Sequence, residues 1–398
     1  MIRALLFASK TGYQVREFYS AAERLGIELV FVTDRCHVLE DPWADQATPF
    51  VAGPEALAGR GPFAGVLAVG DQPALRAAEA ARRLGLRFHP PDAVRAAGDK
   101  FLTREAFRAA GLHVPAYRLI HPDQAACAPA YPCVLKPLHL SASRGVIRAN
   151  DAEQFRQAYL RIRRMIGDEP VLVEEYIPGR EFALEGLVTG GRLQTLAIFD
   201  KPDPLEGPYF EETVYVTPSR EPAQVQRAIQ ETAQQAVTAL GLLHGPVHAE
   251  MRVNPHGIWM LEVAARPIGG LCARALKFVL GGPREIPLEE LLLRHATGED
   301  TSAAALANGA HGVMMIPIPR SGIYLGVQGL EQARGVSDIM NLEVTAKEGQ
   351  KLEALPEGAS YLGFLFARAR LSEEVERALR EAHKRLHFQI SPALPVIK

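Results

Sequence analysis

Residues 248–270 constrain the fold of this chain more than any other stretch, because they predict a β-hairpin. Apolar and polar residues alternate over 248–254 and again over 258–266, which is the period of a half-buried strand. Turn-forming residues fill the loop 255–257, with proline first and glycine last. A proline at the first corner and a glycine in the left-handed position predict a three-residue hairpin loop with a bulge.

Two glutamates face each other in this register and predict a metal site. Counting back along both strands sets Glu250 opposite Glu262, with the carboxylates roughly 5 Å apart. A divalent cation would offset that repulsion, and Mg²⁺ prefers such oxygen ligands, although Mn²⁺ also suits them. The strand period places Arg266 on the same face as Glu262, where it could meet a phosphate or carboxylate. A solvated hairpin face carrying unrelated charges is the alternative.

Length and composition bound the class of protein. A chain of 398 residues with 47% hydrophobic and 23% charged residues predicts a soluble protein of two or three lobes. The net charge of −2 gives no electrostatic reason for binding nucleic acid or an acidic membrane. Residues 1–9 predict a first strand rather than a signal peptide, and no apolar run approaches the roughly 18 residues of a membrane span.

The cysteines favour a reducing compartment. They show neither CxxC spacing nor a nearby histidine cluster, so they predict no disulfide framework and no zinc site. We therefore expect a cytoplasmic protein. The four are Cys36, Cys127, Cys133 and Cys272.

The N-terminal part predicts a small α/β lobe with a parallel sheet. Short apolar runs alternate with segments of helical spacing up to about residue 95. The loop Gly70-Asp71-Gln72 ends a strand at the edge where such sheets bind ligands, although a plain connecting turn is the simpler interpretation. The predicted elements are strands over 2–8, 27–32 and 63–69 and helices over 14–25 and 71–84.

Two lysines and a short loop in the next segment suggest anion binding. Lys100 lies in the first turn of a predicted helix and opposes the helix dipole, which invites an anionic partner, although plain surface charge is the simpler interpretation of this residue alone. A strand over 131–137 carries Lys136 just before a loop whose small residues let backbone N–H groups approach phosphate oxygens. This loop lacks the spacing of a Walker loop. Its candidate residues are Ser141, Ser143, Arg144 and Gly145.

A strand–turn–strand hinge follows and predicts a place for a nucleobase. An apolar strand starts at Val171 and runs through Glu174 into the turn. Such a hinge offers the backbone of Glu175 and Ile177 to an adenine edge, with Glu181 placed to accept from ribose hydroxyls. An ordinary connection between strands is the alternative.

These signals occur in one order along the chain, and that order resembles the ATP-grasp superfamily over roughly residues 95–320. The resemblance implies that Lys100 and Lys136 bind the nucleotide phosphates and that the 141–145 loop covers them. It implies that Glu250 and Glu262 bind Mg²⁺. The order is Lys100, Lys136, Ser141–Gly145, Glu174–Glu181, Glu250, Glu262 and Arg266.

The resemblance also implies an ATP-grasp fold of several α/β and α+β lobes. We place an N-terminal parallel α/β lobe over 1–95 and a linker helix with the nucleotide lid lobe over 96–185. The catalytic part covers 186–398 and includes a closing α+β lobe from about 310. Such proteins act on small molecules, and a homodimer is compatible with this layout.

Two segments, 199–219 and 262–270, resemble the bacterial L-amino acid ligases within that superfamily. In this resemblance Glu212 meets the α-amino group of the amino-terminal substrate. Arg266 and the Gly269-Gly270 backbone hold its carboxylate or acyl phosphate. Two departures concern Ala264, where many members of the superfamily have an asparagine ligand, and Tyr215, where a dipeptide-forming relative has histidine.

The resemblance implies an ATP-dependent ligase that joins a carboxylate to an amine through an acyl phosphate, releasing ADP and phosphate. Lys136, Glu212 and Arg266 are then the catalytic candidates, and the product is a dipeptide or a similar amide. His248 either assists the amine or is a structural histidine, which is the simpler interpretation. The alternatives are an enzyme of the biotin-carboxylase or carbamoyl-phosphate type and a nucleotide-binding protein without turnover.

Overall fold

The structure of this chain is a computed structural model that describes residues 2–9, 13–33, 48–49, 57, 59–124, 127–128 and 130–392. Within these residues the strands form five sheets. Met1 and Cys36 lie outside the described residues, while Cys127, Cys133 and Cys272 are free thiols. No helix in the described ranges is both long enough and apolar enough to cross a membrane.

The N-terminal residues form the predicted parallel sheet, in the strand order β3-β2-β1-β4. The inner strands are buried because each is almost wholly apolar. The last strand runs through Gly70 directly into a helix, so the carboxyl end of the sheet faces the middle of the molecule. The elements are β1 Ile2–Ala8, α1 Tyr13–Leu25, β2 Ile27–Thr33, β3 Thr48–Pro49, β4 Gly65–Val69 and α2 Asp71–Leu84.

Two helices lead into a second, antiparallel sheet of order β5-β8-β6-β7, which one amphipathic helix covers. The second of the leading helices starts at Lys100 because Asp99 caps it, accepting from the N–H groups of Phe101 and Leu102. The elements are α3 Pro91–Ala97, α4 Lys100–Ala109, β5 Tyr117–Ile120, β6 Cys133–Pro137, β7 Ile147–Ala149, α5 Ala152–Ile166 and β8 Val171–Glu175.

An eight-stranded sheet of order β13-β12-β9-β10-β11-β17-β21-β19 forms the centre of the molecule. It joins the predicted hairpin at one edge to strands from the C-terminal part at the other. The boundary proposed at residue 185 falls within β9, and the division into three parts stays a prediction. The elements are β9 Arg180–Thr189, β10 Arg192–Lys201, β11 Val214–Thr217, α6 Ala223–Leu240, β12 His244–Asn254, β13 Gly257–Ala264, β17 Ala310–Ile316, β19 Ile339–Val344, β21 Gly363–Ala369 and α9 Ser372–Lys384.

Two three-stranded sheets complete the described fold, in the orders β15-β14-β16 and β20-β18-β22. A short 3₁₀ helix, Cys272–Ala275, precedes the first of them. The elements are β14 Lys277–Val279, β15 Glu285–Pro287, α7 Leu288–Ala296, β16 Ala305–Leu306, β18 Gly322–Gln328, α8 Leu330–Arg334, β20 Lys351–Leu352 and β22 His387–Ser391.

The hairpin forms with a turn one residue shorter than predicted. Asn254 pairs with Gly257, so the loop has two residues instead of three. A bulge then follows, because Met251 pairs with Met260 while the next residue back, Glu250, pairs with Glu262. The shorter loop shifts the register by one residue, and the bulge shifts it back by one residue. The predicted pairing of the two glutamates is therefore confirmed.

The strand β13 also ends earlier than predicted, at Ala264 rather than Arg266. The strand period therefore does not determine the direction of the Arg266 side chain, and that step of the prediction was wrong. The arginine nevertheless reaches the same cavity as Glu262, through the loop that follows the strand.

Candidate active site

A cavity of about 590 Å³ lies where the three larger sheets meet, and it collects most of the predicted site residues. Arg144 and Gly145 are the exceptions, since neither lines it. The predicted residues that do are Lys100, Lys136, Ser141, Ser143, Glu174, Glu175, Ile177, Glu181, Glu212, Tyr215, Glu250, Glu262, Arg266, Gly269 and Gly270.

The loop over 141–145 is bound to the C-terminal part of the chain. Gly145 donates its N–H to Pro356 O at 2.9 Å, and Nε of Arg144 donates to Glu357 O at 2.8 Å. Gly145 has φ +71, and a Cβ there would lie 2.7 Å from Pro137 Cγ, so the turn requires glycine. Arg144 and Gly145 thus contact the C-terminal part and do not line the cavity, and their role in binding a nucleotide stays a prediction.

A buried ion pair supports Lys136 at one end of the cavity. Its Nζ lies 2.5 Å from Glu174 Oε2, and Nε of Arg104 donates to Glu174 Oε1 at 2.6 Å. Burial favours a protonated Glu174, but the charges of Arg104 and Lys136 outweigh it and lower the pKa of Glu174 to about 2. Glu174 is therefore a counter-ion for two cations. Sequence reasoning missed Arg104, whose partner lies 70 residues away.

Lys100 and the strand–turn–strand hinge lie around the same end of the cavity as Lys136. Nζ of Lys100 donates to Leu140 O at 2.7 Å, just before the phosphate-loop candidate. At the hinge, Glu175 donates its N–H to Ala116 O. The N–H of Ile177 makes no hydrogen bond with any residue that the structure describes, which leaves it available to a ligand.

Lys201 occupies the centre of an acidic cluster that the sequence did not reveal. Its Nζ lies 3.0 Å from Glu181 Oε1, 2.5 Å from Glu212 Oε1 and 3.1 Å from Glu250 Oε1. Burial opposes the charged lysine, but these carboxylates raise its pKa well above the usual range. Lys201 belongs to the 199–219 segment that carried the family resemblance, and that was the available signal.

Glu181 and Glu212 have partners within the protein that the sequence did not predict, while their contacts with ligands stay predictions. The second oxygen of Glu181 accepts from Nε of Arg252 at 2.9 Å, so this carboxylate is already paired on both sides. Glu212 accepts from the hydroxyl of Tyr215 at 2.8 Å. Burial and the nearby Glu250 raise the pKa of Glu212 to about 7, against the opposing charge of Lys201. Glu212 is thus a carboxyl group held by a lysine and a tyrosine at the cavity wall.

The residues present fit a divalent metal ion. Glu250 and Glu262 are cross-strand partners that both line the cavity. Hard carboxylate oxygens beside a phosphate site suit Mg²⁺. The carboxylates of Glu181, Glu212 and Glu250 also approach within 4.8 Å of one another, and Lys201 supplies the positive charge in that group.

Arg266 is oriented by a residue from the N-terminal sheet. Its Nε donates to Asp71 Oδ1 at 2.8 Å, and Asp71 is the first residue of α2. Burial opposes ionisation of Asp71, but Arg266 lowers its pKa below the usual range. The Gly70-Asp71-Gln72 loop was interpreted as a plain turn, and for Gly70 and Asp71 that interpretation was wrong because both line the cavity.

His248 is part of a buried chain of polar groups behind the glutamates. Its Nδ1 lies 3.1 Å from Glu185 Oε2 and its Nε2 lies 3.5 Å from Glu250 Oε1. Glu185 also accepts from the N–H of Ile268. Burial disfavours a charged imidazole, yet these two carboxylates raise the pKa of His248 to about 9. Glu185 therefore fixes His248 beside a metal-ligand candidate.

Comparisons with known proteins match two parts of the chain to protein families and the whole fold to a solved structure. Residues 129–275 match the ATP-grasp domain family, and residues 314–391 match the L-amino acid ligase C-terminal domain 2. The crystal structure of L-amino acid ligase from Bacillus licheniformis superposes with a TM-score of 0.82 at 24% identity, covering 98% of this chain and 99% of that one. The expected fold is thereby confirmed.

Curated relatives are similar over a part of their length. The alanine–anticapsin ligase of Bacillus subtilis is 28% identical over 243 residues, which are 54% of this chain and 50% of that protein. The D-alanine–D-alanine ligase of Gloeobacter violaceus is 31% identical over 212 residues, 49% of this chain and 67% of that protein. The chain spans about half to two thirds of the length of the curated relatives it matches.

Proposed function

Because this chain belongs to the ATP-grasp superfamily, we propose that it is an ATP-dependent carboxylate–amine ligase whose product is a dipeptide or a similar small amide. The observation that carries the proposal is the composition of one cavity. Its lining includes two lysines, a hinge whose Ile177 N–H has no partner among the described residues, two opposed glutamates, and an arginine followed shortly by two glycines. Those are the groups that phosphorylation of an acid and capture by an amine require.

The chemistry starts from a poor electrophile. A carboxylate oxygen of the acid attacks the γ-phosphorus of ATP, the bond from that phosphorus to the bridging oxygen of ADP breaks, and an acyl phosphate forms. The attack brings one anion against another, so positive charge must surround the reacting atoms. Lys100, Lys136 and Arg266 supply that charge from the protein. Mg²⁺ at Glu250 and Glu262 would neutralise phosphate charge when bound.

An amine nitrogen then attacks the acyl carbon and phosphate leaves, which forms the amide bond and releases a proton. Glu212 would bind the α-ammonium group of the amino acid that becomes acylated, and Arg266 with Gly269 and Gly270 would bind its acyl end. Acyl phosphates hydrolyse in water, so the site must be closed during the reaction. The contact of the 141–145 loop with Pro356 and Glu357 supports such a closed arrangement.

A single assay tests the proposal. Release of ADP and phosphate is followed with pairs of amino acids, and the product mass is then measured. We expect the release of ADP and phosphate to require both an acid and an amine. The product mass should equal the sum of the two substrate masses minus that of water. Bicarbonate-dependent ADP release without amide would instead identify a carboxylase, and nucleotide binding without turnover would identify a binding protein.

A further inference from the structure

We infer that the C-terminal part of the chain forms the side-chain subsite for the acylated amino acid and that this subsite selects an apolar side chain. Three residues define it, Met315, Tyr361 and Phe364, and all of them line the cavity. The inference rests on the proposed function and extends it to a class of substrate.

The position of the subsite follows from two anchors. Glu212 is the candidate ammonium anchor, and Gly269 with Gly270 is the candidate acyl anchor. A Cβ built on Gly270 would lie 3.7 Å from the ring of Phe364, so that ring borders the acyl anchor. Tyr361 lines the same cavity as Glu212 and packs its ring against that of Phe364. The side chain of a substrate held by both anchors must therefore meet these rings.

The chemistry of the subsite is apolar and aromatic. The rings of Tyr361 and Phe364 meet edge to face with centroids 5.9 Å apart, and Phe364 also stacks on Phe366 at 6.4 Å. Phe364 is 7% exposed and Met315 is 4% exposed, so both are fixed by packing. A charged substrate side chain would lose its water against these groups without gaining an oppositely charged partner. An apolar side chain would replace that water favourably.

The same packing limits the size of the side chain. Met315 and Phe364 are cross-strand neighbours on β17 and β21, pairing directly in the central sheet. They form a wall that cannot retreat without moving that sheet. We therefore expect small and medium apolar amino acids to be accepted and the largest aromatic ones to be rejected.

The test compares kcat/KM for a series of amino acids in the acylated position, at a fixed amine partner. We expect the wild-type protein to use alanine, valine, leucine or methionine at least roughly 100-fold better than aspartate or lysine. Phe364→Ala should raise the ratio for phenylalanine over alanine by about tenfold or more, mainly through KM. Phe364→Leu should give a smaller shift in the same direction, and it replaces the alanine variant in the test if that variant does not fold.

Leu365→Ala is the matched control. Leu365 is the next residue on the same strand and is fully buried, but it belongs to the core on the other face of the sheet and does not line the cavity. It should lower stability without changing the substrate ratio. An unchanged ratio in both Phe364 variants, or an equal change in Leu365→Ala, would overturn the subsite.

Binding measurements separate this inference from the proposed function. Calorimetric titration of alanine, leucine, aspartate and lysine is carried out on the full chain with a non-hydrolysable ATP analogue and Mg²⁺. If the apolar amino acids bind more tightly in the titration but no ligation occurs in the assay with ATP, the subsite is retained and the ligase is rejected. Ligation that prefers aspartate or lysine would reject the subsite and retain the ligase.

Discussion

Asp71 accepts a hydrogen bond from Nε of Arg266 at 2.8 Å, although 195 residues separate the two along the chain. Asp71 starts the helix that follows the N-terminal sheet, and Arg266 follows the hairpin of the central sheet. One guanidinium is thus held between two parts of the fold at the point where the acyl group is proposed to bind. The N-terminal sheet therefore contributes to the site through this contact.

We expect Asp71→Asn to lower kcat/KM about tenfold, equivalent to ~1.4 kcal/mol of transition-state stabilisation. The amide retains the size of the side chain but removes the charge that orients the guanidinium. Steady-state kinetics measure the effect. Asp92→Asn is the control, because Asp92 pairs with Arg95 on an exposed helix face. Equal rates for Asp71→Asn and the wild type would show that Arg266 needs no such support.

Sequence reasoning predicted the part of the site that depends on local pattern. The pairing of Glu250 with Glu262 was correct, although the turn length was wrong, because a bulge in the strand compensated for the shorter loop. The bulge adds one extra residue to the second strand of the hairpin, and that residue is apolar. The alternation of apolar and polar residues along the strand therefore does not reveal it. A serine before a helical pattern also predicts an N-cap at Ser372, but Leu371 occupies that position in α9, and Ser372 donates its hydroxyl to Pro218 O.

The residues that sequence reasoning missed are those whose partners lie far along the chain. Arg104 and Lys201 look like surface charges when only their neighbours in sequence are considered, yet each is buried against glutamates of another element. Asp71 looks like part of a turn. Tyr361 and Phe364 look like ordinary core residues, because only the packed sheet shows that they reach the cavity.

Removing the buried counter-ion should damage stability more than any exposed pair does. Glu174→Gln leaves Arg104 and Lys136 without a compensating charge, and we expect a loss of about 3 to 5 kcal/mol in the free energy of unfolding. Urea denaturation measures it. Glu331→Gln, which breaks the exposed pair with Arg334, should leave the unfolding midpoint unchanged. Similar losses of unfolding free energy in the two variants would contradict the assignment of Glu174 as a buried counter-ion.

Stability should fall in mild acid because His89 is buried in its neutral form. Its Nε2 donates to Pro246 O at 3.1 Å while its Nδ1 accepts from the N–H of His244 at 3.2 Å. Burial lowers the pKa of His89 from 6.5 to about 4. Between these two pH values the unfolded chain binds a proton at His89 that the folded chain does not bind. The contribution of His89 to the free energy of unfolding is therefore fully present above pH 6.5 and is lost as the pH falls toward 4.

This loss amounts to roughly 3 kcal/mol at the acid end for His89 alone. His89→Asn keeps an acceptor for the N–H of His244 and does not titrate, so it should show a shallower dependence on pH. Urea unfolding of both proteins between about pH 7 and about pH 4 gives the comparison. Parallel curves would mean that protonation of His89 does not contribute.

Lys201 should be essential to turnover because it holds three carboxylates at one point. Lys201→Met leaves Glu181, Glu212 and Glu250 facing one another, and we expect kcat to fall at least roughly 100-fold and the melting temperature to drop. Lys351→Met is the control, since Lys351 pairs with Glu353 at the surface. Activity of Lys201→Met within about twofold of the wild type would remove this lysine from the site.

The central claim is that the acid is activated as an acyl phosphate, and transfer of oxygen-18 tests it most directly. An amino acid carrying oxygen-18 in both carboxylate oxygens is incubated with ATP, Mg²⁺ and an amine partner, and the released phosphate is analysed by mass spectrometry. The account predicts one labelled oxygen in each phosphate and one retained in the amide. ADP formation with unlabelled phosphate would contradict it.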